Sequence, residues 1–257
     1  MENSIFLRFL KEMPVDAQIS AIEALTEMSK IEKNEADYTM SGSSDILVKV
    51  LKELARDDDR NVRCVVAENP KTPAEILTKL SRDDDCAVRH AVACNDTTPA
   101  EVLTELSRDD DSLVRSSVAY NPKAPAEVLT ELSRDDDSWV RCVVAKNPKT
   151  PAEILKKLAM NKDHIVSCCA VASNDTTPAE ILTKLAKDKD SRVRYDVASN
   201  LRTPAEGLTE LSMDKNRGVR YYVAKNPKTP AEILKKLAKD GDWLVQEAAR
   251  ANPSFPK

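Results

Sequence analysis

Asp58-Asp59-Arg60-Asn61-Val62-Arg63-Cys64-Val65-Val66-Ala67-Glu68-Asn69-Pro70-Lys71-Thr72-Pro73-Ala74-Glu75-Ile76-Leu77-Thr78-Lys79-Leu80 recurs with small changes down the chain. Its asparagine returns at 95, 121, 147, 174, 200, 226 and 252, and its second proline at 99, 125, 151, 178, 204, 230 and 256. The spacing is 26 residues throughout, except for 27 between Asn147 and Asn174, where one residue is inserted in the Ile165–Ala170 stretch. A fixed period of this size predicts a solenoid, in which length does not count domains.

Each repeat reads as two short helices. The first opens at Asp59, Asp85, Asp111, Asp137, Asp163, Asp190 or Asp242, with Asn216 in the remaining copy, since a short side-chain oxygen can accept orphan amides. Val62 and Val66 lie one turn apart with Ala67 beside them, and the helix ends at Asn69 before Pro70. Arg63, Arg89, Arg115, Arg141, Arg194 and Arg220 stand four residues after the cap, where each can pair within its helix or with a neighbouring repeat. Ser167 and Gln246 replace this arginine.

In the second helix, Thr72-Pro73-Ala74-Glu75 reads as a capping box with proline at the first helical position. Thr98, Thr150, Thr177, Thr203 and Thr229 repeat it, whereas Ala124 breaks it, at an expected cost of about 1 kcal/mol. Ile76, Leu77 and Leu80 share one face, and Glu75 and Lys79 point away.

Residues 58–80 and their copies resemble the leucine-rich repeat variant family, and the Asp…Val-Arg signature is also similar to that of HEAT repeats. The resemblance covers roughly residues 45–257. It implies short helix pairs, one helix often 3₁₀, stacked into a right-handed superhelix. Two departures matter. The period is longer than usual for that family, so both helices here are expected to be α. Some members carry a cysteine-rich iron–sulfur segment before the repeats, but residues 1–45 contain no cysteine, so that cluster is not carried over. The fold class expected is all-α: a right-handed helical-repeat solenoid of about seven to eight 26-residue pairs, residues 42–257, behind an N-terminal helical cap, residues 1–41.

In the cap, Ile5, Phe6, Phe9, Leu10 and Met13 mark one amphipathic helix, stopped by Pro14, and Ile19, Ile22, Leu25 and Met28 a second. Glu32–Ser44 is polar and reads as a loop, and Asp45–Ala55 as a second-type helix.

With 39 basic and 43 acidic residues, the net charge of −4 excludes a generally basic nucleic-acid binder. Four glycines against 14 prolines argue against a hairpin-rich β fold. No apolar run is long enough for a membrane span and Met1–Pro14 lacks a secretory core, so a cytoplasmic protein with free thiols is expected.

Chemistry-bearing patterns are sparse. The aspartate runs 57–59, 83–85, 109–111 and 135–137 lack the glycine turn and terminal glutamate of a calcium loop. Cys86, His90 and Cys94 share a helical face, but an i, i+8 pair is about 12 Å apart, too far for one ion. No phosphate loop or nucleophile motif occurs. The reading is a non-enzymatic protein with no metal, no cofactor and no catalytic residues.

One stripe of the first helices varies while the frame stays constant. His90, Tyr120, Trp139, Lys146, Tyr195, Tyr221, Lys225 and Trp243 lie on it, and aromatic residues are the usual anchors of recognition. A protein or peptide partner is therefore expected. The alternative is nucleic-acid binding by the C-terminal half. Residues 141–257 hold 22 basic and 14 acidic residues, against 17 and 29 in residues 1–140. It is disfavoured because Lys156, Lys157, Lys184, Lys235 and Lys236 belong to second helices, and Lys146 and Lys225 to the stripe.

Overall fold

One repeated bond opens each first helix. In the computed structural model, which describes residues 2–31, 43–160 and 164–256, the Asp59 carboxylate accepts from the Asn61 amide at 2.7 Å. Asp85, Asp111, Asp137, Asp190 and Asp242 do the same two residues on, and the Asn216 amide oxygen accepts from Gly218. Asp163 and residues 32–42 lie outside the described residues.

The helices that follow are α1 (Glu2–Lys11), α2 (Val15–Ile31) and α3 (Ser43–Leu54). Then first helices α4 (Arg60–Glu68), α6 (Cys86–Cys94), α8 (Ser112–Tyr120), α10 (Ser138–Lys146), α12 (His164–Ser173), α14 (Ser191–Ser199), α16 (Arg217–Lys225) and α18 (Trp243–Ala251) alternate with second helices. These are α5 (Ala74–Leu80), α7 (Ala100–Leu106), α9 (Ala126–Leu132), α11 (Ala152–Leu158), α13 (Ala179–Leu185), α15 (Ala205–Leu211) and α17 (Ala231–Leu237). The described residues contain no strand, and both helices of a pair are α.

The chain divides into two units, Met1–Val128 and Leu129–Lys257. In the first, α4, α6 and α8 stack side by side, as do α10, α12, α14, α16 and α18 in the second, with the second helices alongside. Each unit is an all-helical repeat stack. Its core is aliphatic: Val62, Val66, Ala67, Leu77 and their apolar copies among the described side chains are fully buried, with Ile76 and Leu80 nearly so; Arg250, in the place of Ala67, is exposed. A buried leucine or valine contributes about 1.5–3 kcal/mol, so the stack gains from many small equal parts. No helix among the described residues is long and apolar enough to cross a membrane.

The threonine of the Thr-Pro-Ala-Glu motif does not form the expected capping box. Pro73, with φ −59° and ψ 145°, is itself the residue before the second helix, and no side chain caps it. Thr72 is buried and donates its hydroxyl backward, to the Val66 carbonyl at 2.5 Å. Thr98 and Thr177 reach Val92 and Val171 at 2.6 Å. The threonine therefore closes the end of the first helix, where carbonyls lack helical partners. At Ala124, buried with 1% exposure, the bond to Val118 is the one missing, rather than a cap of α9. Ala124→Thr is expected to stabilise the first unit by about 1 kcal/mol, read as a higher denaturant midpoint at unchanged slope.

The asparagine after each first helix does more than end it. Asn95 is buried, and its Nδ2 donates to Ala67 O at 2.6 Å and Asn69 O at 3.0 Å in the preceding repeat. Its Oδ1 accepts from the Thr97 amide at 2.7 Å. Asn121, Asn174, Asn200, Asn226 and Asn252 make the same pair of bonds one repeat back. Asn69 begins the ladder on α2 instead, donating to Thr26 Oγ1 at 2.7 Å.

The arginine resolves toward the neighbouring repeat. Arg63 Nε and Nη2 clasp the Asp83 carboxylate at 2.7 and 3.0 Å, while Nη1 holds the Asp57 and Asp58 carbonyls of its own loop. Arg89–Asp109, Arg194–Asp214 and Arg220–Asp240 repeat the clasp. Asp83, Asp109, Asp214 and Asp240 thus each anchor an arginine, and the residue two positions on caps a helix. The middle position supplies its carbonyl. Lysine is tolerated there for that reason: Arg194 uses the Lys189 carbonyl and Arg220 that of Lys215.

At the N-terminus, Leu10 of α1 is buried and Phe9 is 59% exposed. α2 packs on α3 and α4, in the place of a first helix. The face it buries is Gln18, Ile22, Thr26 and Ser29, whereas Met28 is exposed. The apolar residues expected to define this face do so only at Ile22, because Thr26 and Ser29 turn their hydroxyls onto carbonyls of their own helix.

Candidate recognition face

The stripe positions lie two and one residues before the first valine of each first helix and two and six residues after it. Their backbone is fixed by the aspartate cap at one end and the asparagine ladder at the other. The structure separates them into two groups.

Tyr120, Trp139 and Trp243 project outward, with 76%, 57% and 67% exposure. Leu113, on the helix of Tyr120, and Leu244, on the helix of Trp243, are also exposed. Lys146 reaches over the Trp139 ring, Nζ to centroid 5.9 Å, and is exposed.

His90, Tyr195 and Tyr221 are engaged with their neighbours. His90 Nδ1 lies 2.6 Å from Ser117 Oγ of the next repeat, and Cys94 Sγ lies 3.7 Å from His90 Nε2. Burial pushes the Cys94 thiol up, the opposite of what a reactive cysteine requires. No group of three or more metal-binding side chains occurs among the described residues. Tyr195 stacks on Tyr222 with centroids 4.3 Å apart. Its hydrogen bond with Tyr222 and its partial burial push the phenol up to about 12. Tyr221 meets Tyr222 edge-on at 5.3 Å, and Lys225 Nζ lies 5.6 and 5.9 Å from the two rings.

Tyr222 is the residue that stripe reasoning missed. It sits three positions after Val219, not two, and this third position packs against the second position of the preceding repeat, as Ser117 does on His90 and Tyr222 on Tyr195. Cys169, also at the third position, instead meets Asp196 of the following repeat, and burial and that hydrogen bond push its thiol up to about 12. The side chains of Ile165 and Cys168 lie outside the described residues.

The lysines of the second unit divide as their sequence positions suggest. Lys156 and Lys235 lie on second helices, 4.0 Å from Glu180 and 2.8 Å from Glu232. Lys146 and Lys225 lie on the first-helix stripe, over aromatic rings.

Two segments, residues 60–85 and 113–137, match the family model described as leucine rich repeat variant. These two segments are leucine rich repeat variant repeats. A solved structure described as a leucine-rich repeat variant with a novel repetitive protein structural motif is similar to this chain, at 28% identity and a TM-score of 0.58. The match covers 83% of this chain and 87% of that one. Two engineered proteins are similar at 21% and 19% identity, with TM-scores of 0.40 and 0.23. They cover 96% and 97% of this chain and 87% and 94% of their own. None of the curated proteins matches the chain. The frame is therefore similar to that of a leucine-rich repeat variant structure.

Proposed function

We propose that this protein is a non-enzymatic scaffold that binds a protein or peptide through the exposed stripe of its first helices. The observation that carries the reading is the exposure of Tyr120, Trp139 and Trp243 on a frame whose buried threonines, asparagines and arginines bond within and between repeats. Exposed aromatic side chains on rigid helices lose little entropy on binding and anchor interfaces well. The lysines support nucleic-acid binding less well, because they are shared between the second helices, where some meet glutamates, and the stripe.

The test compares partners captured by the wild type with those captured by a Tyr120→Ala/Trp139→Ala/Trp243→Ala variant. All three side chains are solvent-facing, so the variant is expected to keep its melting temperature within a few degrees while losing at least tenfold in affinity for a stripe-bound partner. Identical partners and affinities for the two proteins would contradict the reading.

A further inference from the structure

The contact rule between first helices leaves one place unfilled. Tyr222 covers Tyr195 at a centroid distance of 4.3 Å. One repeat later, Tyr221 stands in the place of Tyr195, but the position of Tyr222 is held by Ala248. A ring has become a methyl group. The result is a groove of about 420 Å³ between α16 and α18, lined among others by Tyr221, Lys225, Leu244, Glu247, Ala248 and Ala251. Its walls are an aromatic ring and aliphatic side chains. Its charged rim carries Glu247 and Lys225; Lys225 is exposed, its ammonium resting on two rings, with no carboxylate within ion-pair distance of it among the described residues.

The geometry points to this groove as a subsite for an aromatic side chain from a partner whose flanking residues are acidic. The proposal rests on the scaffold reading and narrows it to one place and one chemistry. The fold itself supplies the precedent for the aromatic group, since Tyr222 fills the equivalent position one repeat earlier. Two terms favour acidic flanks. Lys225 offers a cation with no carboxylate partner, and Leu129–Lys257 holds 23 Lys and Arg against 18 Asp and Glu, which attracts an acidic segment. A basic segment would meet Lys225 and the net positive charge of Leu129–Lys257, against the single carboxylate of Glu247 in the groove lining.

The probe is the peptide acetyl-Asp-Glu-Phe-Glu-Asp-amide, titrated into the full chain and followed by amide chemical shifts. Saturable binding is expected with a Kd of roughly 0.1–1 mM, with shifts centred on Tyr221, Lys225 and Ala248. Replacing the peptide's Phe by Ala, or its four acids by Lys, should weaken binding at least tenfold. Ala248→Tyr should fill the groove from within, as Tyr222 does, and weaken the peptide at least tenfold without lowering the melting temperature. Lys225→Glu, a change to an exposed side chain, should weaken the acidic peptide tenfold and favour the lysine peptide. Absence of saturable binding overturns the proposal. Binding that survives Lys225→Glu, or Ala248→Tyr in a folded protein, overturns it as well. The broader reading has a separate readout: if the peptide fails while the triple aromatic variant still loses its partners, the groove falls and the stripe stands.

Discussion

Replacing Asn200 by alanine is expected to destabilise the second unit by about 3–5 kcal/mol, the cost of orphaning several buried polar groups at once. Asn200 Nδ2 donates to Ala172 O at 2.7 Å and to Asn174 O at 3.0 Å, and its Oδ1 accepts from the Arg202 amide at 2.8 Å. The site is 4% exposed, so water does not replace these bonds. Alanine leaves two carbonyls and one amide without the partners they had, and adds a small void. Set against a whole-domain stability of about 5–15 kcal/mol, the loss is large. Leu201→Ala, one residue away but 56% exposed, is the control and should cost under about 1 kcal/mol. Urea unfolding of the two variants, read as midpoint shifts, checks both values. Equal small shifts would mean that the asparagine ladder contributes little and that aliphatic burial alone holds the repeats.

Arg194→Met is the second large effect, about 3–5 kcal/mol at neutral pH, because it leaves the Asp214 carboxylate deeply placed and unpaired. Arg194 clasps Asp214 with two nitrogens and holds the Asp188 and Lys189 carbonyls with a third. The two side chains are only 10% and 6% exposed, so solvent screening is weak. Arg194→Lys should recover little of the loss, since one ammonium cannot reproduce the planar fork. The pH dependence carries a definite sign. Burial alone would raise Asp214, but its hydrogen bonds from Arg194 and the Asn216 amide outweigh that and hold it below the usual carboxylate range. Asp83 and Asp109 behave alike, and at Asp240 the Arg220 bond is the largest influence. A depressed folded-state pKa gives stability that is complete above the unfolded value of about 3.9 and lost as pH falls through the folded value. The wild type should therefore weaken below about pH 4. In Arg194→Met, burial acts on Asp214 without its arginine, so protonation relieves the variant. The gap between the two proteins should narrow between pH 7 and pH 3. A gap constant over that range would show that the clasp is not electrostatic.

Much of this architecture is legible in the amino-acid order. The period, the aspartate caps and the Val62/Val66 and Ile76/Leu77/Leu80 faces follow from rules that act within one turn of helix, and the structure reproduces each. The Thr72 reading went astray because Thr-Pro-Ala-Glu satisfies the capping-box pattern while the residue also lies within reach of the helix behind it. Pattern alone does not say which of two adjacent helix ends a hydroxyl serves. The ladder was hidden for a related reason. Asn95 has an obvious local role as a stop, and its bonds to Ala67 and Asn69 cross 28 and 26 residues. A signal was present: the asparagine recurs as regularly as the core valine, and a polar residue held that strictly within one chain answers a buried demand. On the candidate recognition face, the sequence grouped exposed Tyr120, Trp139 and Trp243 with His90, Tyr195 and Tyr221, which contact neighbouring side chains. The three engaged residues all stand two after the valine, where the third-position residue of the next repeat reaches His90 and Tyr195, as Ser117 and Tyr222 show.

The most direct measurement of the recognition claim places a photo-crosslinking amino acid at one position at a time in living cells. Position 139 or 243 tests the stripe. Position 79 or 157, exposed on second helices, is the control. Adducts with the same partner from 139 and 243, and none of it from 79 or 157, are the predicted result. Crosslinking of a shared partner from 79 and 157, with none from 139 and 243, would contradict the account.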